Sequence, residues 1–161
     1  MFKNKSLIEL MDTPLPSLTA QKRLLFRPDL RDVERVYDKI NHKIFNNKLY
    51  RPDINLGTCR NYWGMCIGEA EQHDDGSFCT IKLSDKWYSV QWMVAVLAHE
   101  MAHQYQYEID GVKRIKLGKD PIMSHGPSFY QFKPDLEEYD ISLKTAHSQR
   151  RWFKHQSLFK A

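Results

Sequence analysis

The chain has 161 residues, of which 42% are hydrophobic and 27% are charged, and its formal net charge is +4. This length suits one domain with a sizeable core, and this balance is that of a globular protein, which excludes general disorder. The longest apolar stretch, residues 92–98, is far shorter than the ~20 residues that a transmembrane helix needs. We therefore expect no membrane partner. We also expect the protein to be a monomer.

The first twenty residues contain Glu9, Asp12, Pro14 and Pro16 and lack the unbroken apolar core of a secretory signal. We therefore expect a cytoplasmic, intracellular protein, a location that is compatible with association with the nucleoid. The three cysteines form no close C-x-x-C pair, which disfavours a disulfide framework and a cysteine zinc site.

Composition divides the chain into three parts. Residues 1–27 form a polar, proline-containing arm, residues 28–140 form the domain, and residues 141–161 form a tail that has no acidic residue. Two groups of cations suggest contact with nucleic acid, one in the loop before residue 125 and one in the tail. The candidate contacts are Lys113, Arg114, Lys116, Arg150 and Arg151. The alternatives are a solvated basic loop and an amphipathic terminal helix.

The domain begins with a predicted amphipathic helix. Apolar residues recur at steps of three and four from Asp29 onward, and this helix should end near Asn46 and Asn47. Three segments with strand character follow, at residues 53–59, 62–71 and 78–83. The Asp75-Gly76 step between the last two favours a tight hairpin, so we expect a small, antiparallel-rich sheet.

A long helix is predicted from Val90 to about Glu108, because this segment is apolar on nearly every face, as a central buried helix would be. It should stop before Gly111. Pro127 then suits the first turn of a short helix that Pro134 should end. The predicted class is therefore α+β, with the sheet packed on the central helix.

The central helix carries the pattern H-E-x-x-H, from His99 to His103. Residues four apart share a helix face, so two imidazoles can hold one Zn²⁺, while Glu100 approaches the metal-bound water. Zinc makes that water acidic, and the carboxylate can take its proton as it attacks a carbonyl carbon. This is the chemistry of peptide-bond hydrolysis. The alternative interpretation is a pair of ordinary packing or surface histidines.

A catalytic zinc site needs a third protein ligand. The metzincin pattern is excluded, because Ile109 stands where that pattern requires its third histidine. His125 is the best candidate, since it follows a loop long enough to fold back and is succeeded by Gly126 and Pro127. The other histidines have no comparable setting. They are His42, His73, His147 and His155.

The residues that carry these features resemble the SprT-like metallopeptidase domain, a family that includes the Spartan proteases of DNA-protein crosslink repair. The resemblance rests on residues 41–49 (NHKIFNNKL), the three strands, the H-E-x-x-H helix and the segment HGPSF at residues 125–129, and it covers about residues 28–132. It implies a zincin-like fold, with His99, His103 and His125 as ligands of one zinc ion and Glu100 as general base.

Two features depart from the family pattern. Many SprT-like proteins continue into a cysteine-rich zinc ribbon or a DNA-binding extension, whereas this chain has no cysteine beyond Cys79. Pro134 also shortens the helix that follows the third histidine.

We interpret the chain as a zinc metalloendopeptidase that holds a protein substrate as an extended strand, with residues 62–71 as the edge strand. The resemblance implies substrates that are associated with or crosslinked to DNA, with single-stranded DNA as a partner. A zinc-bound but catalytically idle module that binds a peptide or nucleic acid is the alternative, as is a nucleic-acid-binding protein in which the histidines are incidental.

Overall fold

The computed structural model describes residues 27–59, 62–69, 71–74, 76–87, 90–111 and 125–143. The elements in chain order are α1 (Leu30–Lys43), β1 (Asp53–Gly57), β2 (Gly64–Gly68), β3 (Cys79–Ser84), α2 (Val90–Glu108), α3 (Pro127–Tyr130) and α4 (Lys133–Glu137). Among these, no helix is long and apolar enough to cross a membrane. Nearly all of the expected N-terminal arm and basic tail lies outside the described residues, so the domain boundaries stay a prediction.

Helix α1 begins where its sequence supplies a cap, since the side chain of Asp29 accepts a hydrogen bond from the backbone N–H of Arg31. Its apolar stripe is fully buried at Val33, Val36 and Ile40. After the helix, Asn46 and Asn47 adopt positive φ angles of 53° and 59°. Asparagine tolerates this left-handed conformation better than most residues, so the predicted end of the helix is confirmed within a few residues.

The three strands form one mixed sheet in the order β1-β3-β2. The predicted hairpin is confirmed, because β2 and β3 pair antiparallel with Cys66 opposite Ile81. The expectation of antiparallel pairing is wrong for β1, which runs parallel to β3 with Ile54 opposite Ile81. Strand β3 lies in the centre of the sheet, with a paired strand on each side. It is buried at all positions except Lys82.

Strand β2 turns its small residues, not its large ones, toward helix α2. A Cβ atom added to Gly64 would lie 2.7 Å from a methyl carbon of Val96, and one added to Gly68 would lie 2.4 Å from the ring of Tyr107. Met65 and Ile67 therefore point to the opposite face, since side chains alternate along a strand. The glycines let the backbone of β2 approach the helix closely.

Helix α2 has the predicted bounds and is the most buried element, with every residue from Trp92 to Ala102 buried. Its C-terminal end is tied to the start of β3, because the carboxylate of Glu108 accepts hydrogen bonds from the Ser77 hydroxyl and the Phe78 N–H, both at 2.8 Å. The motif residues near its middle are therefore held in a packed position.

The end of the described chain differs from the prediction at Pro134. Pro127 lies in the first turn of α3, as expected. Pro134 does not end this helix, which is already complete at Tyr130, but lies in the first turn of α4. Proline lacks the backbone N–H that a first turn leaves unbonded anyway, so it is well tolerated there.

Candidate metal centre

Three histidines from two segments converge at one point. His99 and His103 lie one turn apart on α2, and His125 lies immediately before α3. The Nε2 atom of His103 is 3.2 Å from Nε2 of His99 and 3.2 Å from Nε2 of His125. Their candidate ligand atoms all lie within 4.8 Å of one another, and these residues form the one such group in the described part of the chain.

This arrangement fits a zinc ion. Tetrahedral geometry with Zn–N distances of about 2.05 Å separates two ligand nitrogens by about 3.3 Å, and the two distances from His103 Nε2, 3.2 Å each, are within 0.2 Å of that value. Three neutral imidazoles are also the donor set of a catalytic zinc site that leaves a fourth position open. The predicted third histidine thus lies beside the other two, and its role as a ligand stays a prediction.

One apolar side chain, that of Phe129, packs against all three histidines. The ring of this fully buried residue lies 4.8 Å from the ring of His99, 4.8 Å from that of His103 and 4.9 Å from that of His125, measured between centroids. Because Phe129 follows His125 by four residues, one short segment supplies both the candidate ligand and the ring that packs against it. Burial lowers the pKa of His103 and of His125, which keeps both imidazoles neutral, the form that binds a metal.

The candidate base lies beside the histidines. The carboxylate oxygen Oε1 of Glu100 is 3.9 Å from Nε2 of His99, and the residue is only 6% exposed. Burial raises the pKa of Glu100 to about 8, and the hydrogen bond that it accepts from the backbone N–H of Cys66 opposes that shift. A nearby cation would favour the charged carboxylate further. The group is thus placed to exchange protons near neutral pH.

Strand β2 passes the site as an edge strand. Ser84 N–H donates to Trp63 C=O and Glu69 N–H donates to Phe78 C=O, so the odd-numbered residues of this strand face β3. The backbone groups of Gly64, Cys66 and Gly68 therefore point toward the other edge, and within the described ranges β2 pairs with no second strand. The hydrogen bond from Cys66 to Glu100 uses one of these edge groups.

A buried glutamine that the sequence analysis did not single out completes the surroundings of His103. The Oε1 atom of this glutamine, Gln106, lies 2.8 Å from Nδ1 of His103. The Nε2 group of Gln106 donates a hydrogen bond to Oγ of Ser128 at 2.8 Å. Its spacing of three residues from His103 is the only hint in the sequence, because residues at i and i+3 are neighbours on a helix.

The remaining candidates lie elsewhere. His42 is exposed and bonds Asn47, and His73 lies near Glu69 in the hairpin, so neither joins the cluster. His147 and His155 are outside the described residues. So are the five predicted nucleic-acid contacts, Lys113, Arg114, Lys116, Arg150 and Arg151, whose role stays a prediction.

Comparison with known families shows that residues 33–147 match the SprT-like family. No curated protein and no solved structure matches the chain. The matched segment contains most of α1, the sheet, the three histidines and Glu100, and it spans well over half of the 161 residues. The chain belongs to the SprT-like family.

Proposed function

We propose that this protein is a zinc-dependent metallopeptidase with a zincin-like fold that hydrolyses peptide bonds in protein substrates. One observation carries the proposal: the ligand atoms of three histidines lie within 4.8 Å of one another, His103 Nε2 is 3.2 Å from each of the other two Nε2 atoms, and the carboxylate of Glu100 lies beside them. Membership of the SprT-like family, which is associated with metallopeptidase-like function, agrees with it.

The histidines and Glu100 have separate roles in this proposal. His99, His103 and His125 would hold the ion, which when bound would acidify water and polarise the scissile carbonyl. Glu100 takes the proton of the attacking water and returns a proton to the leaving amine. Burial raises the pKa of this carboxylate to about 8, which suits a group that both accepts and donates protons near neutral pH.

The substrate would bind as an extended strand along the open edge of β2. Main-chain hydrogen bonds to the edge groups of Gly64 and Gly68 would align the scissile peptide beside Glu100. Glycine at these positions also keeps the strand close to α2, and hence close to the metal-binding histidines. This mode of binding selects an extended backbone, so the expected substrates are unfolded or flexible segments of proteins.

A further part of the proposal concerns the source of the substrate. We propose that it is a protein bound or crosslinked to DNA, with single-stranded DNA as the preferred partner. Support comes from the resemblance to the Spartan proteases and from the cations Lys113, Arg114 and Lys116, which precede His125 in the sequence.

The test is hydrolysis by the full-length chain after removal and controlled return of zinc, with a flexible, fluorescently labelled protein as substrate. We expect cleavage that requires one equivalent of zinc. A protein that binds zinc and the peptide but never cleaves it would instead be the idle binding module. A protein that binds no zinc at near-stoichiometric concentration would refute both interpretations.

A further inference from the structure

Both the oxygen and the nitrogen of the Gln106 side-chain amide make a hydrogen bond. Its Oε1 atom lies 2.8 Å from His103 Nδ1, its Nε2 atom lies 2.8 Å from Ser128 Oγ, and the residue is only 4% exposed. Ser128 follows His125 by three residues, in helix α3. The glutamine therefore joins the two segments that supply the three candidate ligands.

We propose that Gln106 is a positioning residue that fixes His103 in the tautomer able to bind the metal and ties it to the segment of His125. This inference rests on the proposed metal site. A neutral imidazole carries its proton on one nitrogen only, and an amide oxygen can only accept a hydrogen bond. Because Oε1 faces Nδ1, the proton is on Nδ1 and the lone pair is on Nε2.

The Nε2 atom of His103 is the one that faces both other histidines, at 3.2 Å from each of their Nε2 atoms. The tautomer that Gln106 selects is thus the one whose lone pair points into the cluster. Partners of this kind also hold the ring in its orientation, and their removal typically weakens metal binding by about 10- to 100-fold.

A buried glutamine can also serve packing alone, and the same helix contains a matched example. Gln104 is fully buried, accepts from the Tyr37 hydroxyl at 2.7 Å and donates to the Tyr50 C=O at 2.8 Å. Within the described residues its hydrogen-bond partners are Tyr37, Tyr50 and Glu108, none of which is a candidate ligand. Gln104→Leu therefore measures how much stability is lost when a buried amide is removed from α2 and the contacts of the candidate metal ligands are kept.

The experiment compares zinc affinity in four full-length proteins: wild type, Gln106→Leu, Gln106→Glu and Gln104→Leu. Zinc dissociation constants are measured by competition with a chelator, and the visible spectrum of the cobalt-substituted protein reports the geometry of the site. Thermal unfolding of each zinc-free protein separates folding from metal binding.

We expect Gln106→Leu to weaken zinc binding by about 10-fold or more and to alter the cobalt spectrum. Gln106→Glu should restore wild-type affinity, because a carboxylate also accepts from Nδ1–H. Gln104→Leu should lower thermal stability while it leaves zinc affinity within about two-fold of wild type. Equal affinity in wild type and Gln106→Leu would overturn the inference, as would a Gln106→Glu protein as weak as Gln106→Leu.

A second measurement does not depend on the folding of any variant. Long-range proton–nitrogen correlation spectra of the zinc-loaded wild-type protein should show His103 with a proton on Nδ1. A proton on Nε2 would overturn the inference. If the wild-type protein binds no zinc, the proposed metal site itself is refuted, whereas normal zinc binding with an indifferent Gln106→Leu variant refutes the positioning role alone.

Discussion

The backbone N–H of Cys66 donates a hydrogen bond to the carboxylate of Glu100. This contact joins the open edge of strand β2 to the residue beside the candidate metal-binding histidines. The strand that would align a substrate and the group that would take the water proton therefore lie within hydrogen-bonding distance. A shift of β2 should move both the substrate and the proton acceptor.

The first prediction concerns the proton acceptor. Glu100→Gln should retain one equivalent of zinc, because this side chain is not a ligand, but it should lower the rate of peptide hydrolysis by about 10²-fold or more, since the amide cannot accept the proton. The measurement is the turnover of the zinc-loaded variant. Glu108→Gln is the control: it removes a carboxylate from the same helix, and within the described residues this carboxylate accepts hydrogen bonds from Ser77, Phe78 and Gln104. Wild-type turnover by Glu100→Gln would refute this mechanism.

The second prediction concerns the two segments that supply the histidines. His103→Ala and His125→Ala should weaken zinc binding to a similar degree, because a three-ligand site loses its closure whichever ligand is removed. Equilibrium dialysis against a zinc buffer gives the affinities. His42→Ala is the control, since this exposed residue lies outside the cluster. Full zinc affinity in His125→Ala would show that the third ligand is a different residue.

Helix α2 and its histidines could be predicted from local signals. An unbroken apolar segment defines a buried helix, and histidines four apart share a face of it. The position of His125 could be anticipated only from its sequence neighbours, since the residues before it carry no pattern that predicts where His125 lies in the fold. In the structure, Phe129 supplies the missing physical reason, because it packs against all three rings.

The sheet and the surroundings of the histidines were less predictable. The Asp75-Gly76 step identifies the hairpin of β2 and β3, but nothing local says that β1 runs parallel to β3, since that pairing joins strands distant in sequence. The alternation of Met65 and Ile67 with small residues marks a strand without revealing that the small side faces the helix. Gln106 was missed for a related reason, because its bond to Ser128 spans 22 positions.

The third prediction tests the close approach of β2 to α2. Gly68→Ala should destabilise the protein by roughly 1–3 kcal/mol, because the new methyl group would overlap the ring of Tyr107. Gly57→Ala is the control, since a Cβ atom there would meet nothing within 4 Å. Urea unfolding of both variants gives the difference. Equal stability of the two variants would contradict the packing described here.

The fourth prediction concerns DNA. Single-stranded DNA should accelerate cleavage of a DNA-tethered protein, and the effect should fade as salt rises, because phosphate contacts release counterions. Replacing Lys113, Arg114 and Lys116 by glutamine should reduce this effect more than replacing Arg150 and Arg151, since the first set lies closer to His125 in the sequence. The assay compares free and tethered substrate across a salt series. Identical rates in every case would show that DNA plays no part.

The most direct test of the central claim is the anomalous diffraction signal of zinc in crystals of the zinc-loaded protein. The account predicts one peak, with the Nε2 atoms of His99, His103 and His125 at about 2.0–2.1 Å from it and Glu100 outside the coordination sphere. A peak coordinated by other residues, or no peak at this cluster in protein that contains one equivalent of zinc, would contradict it.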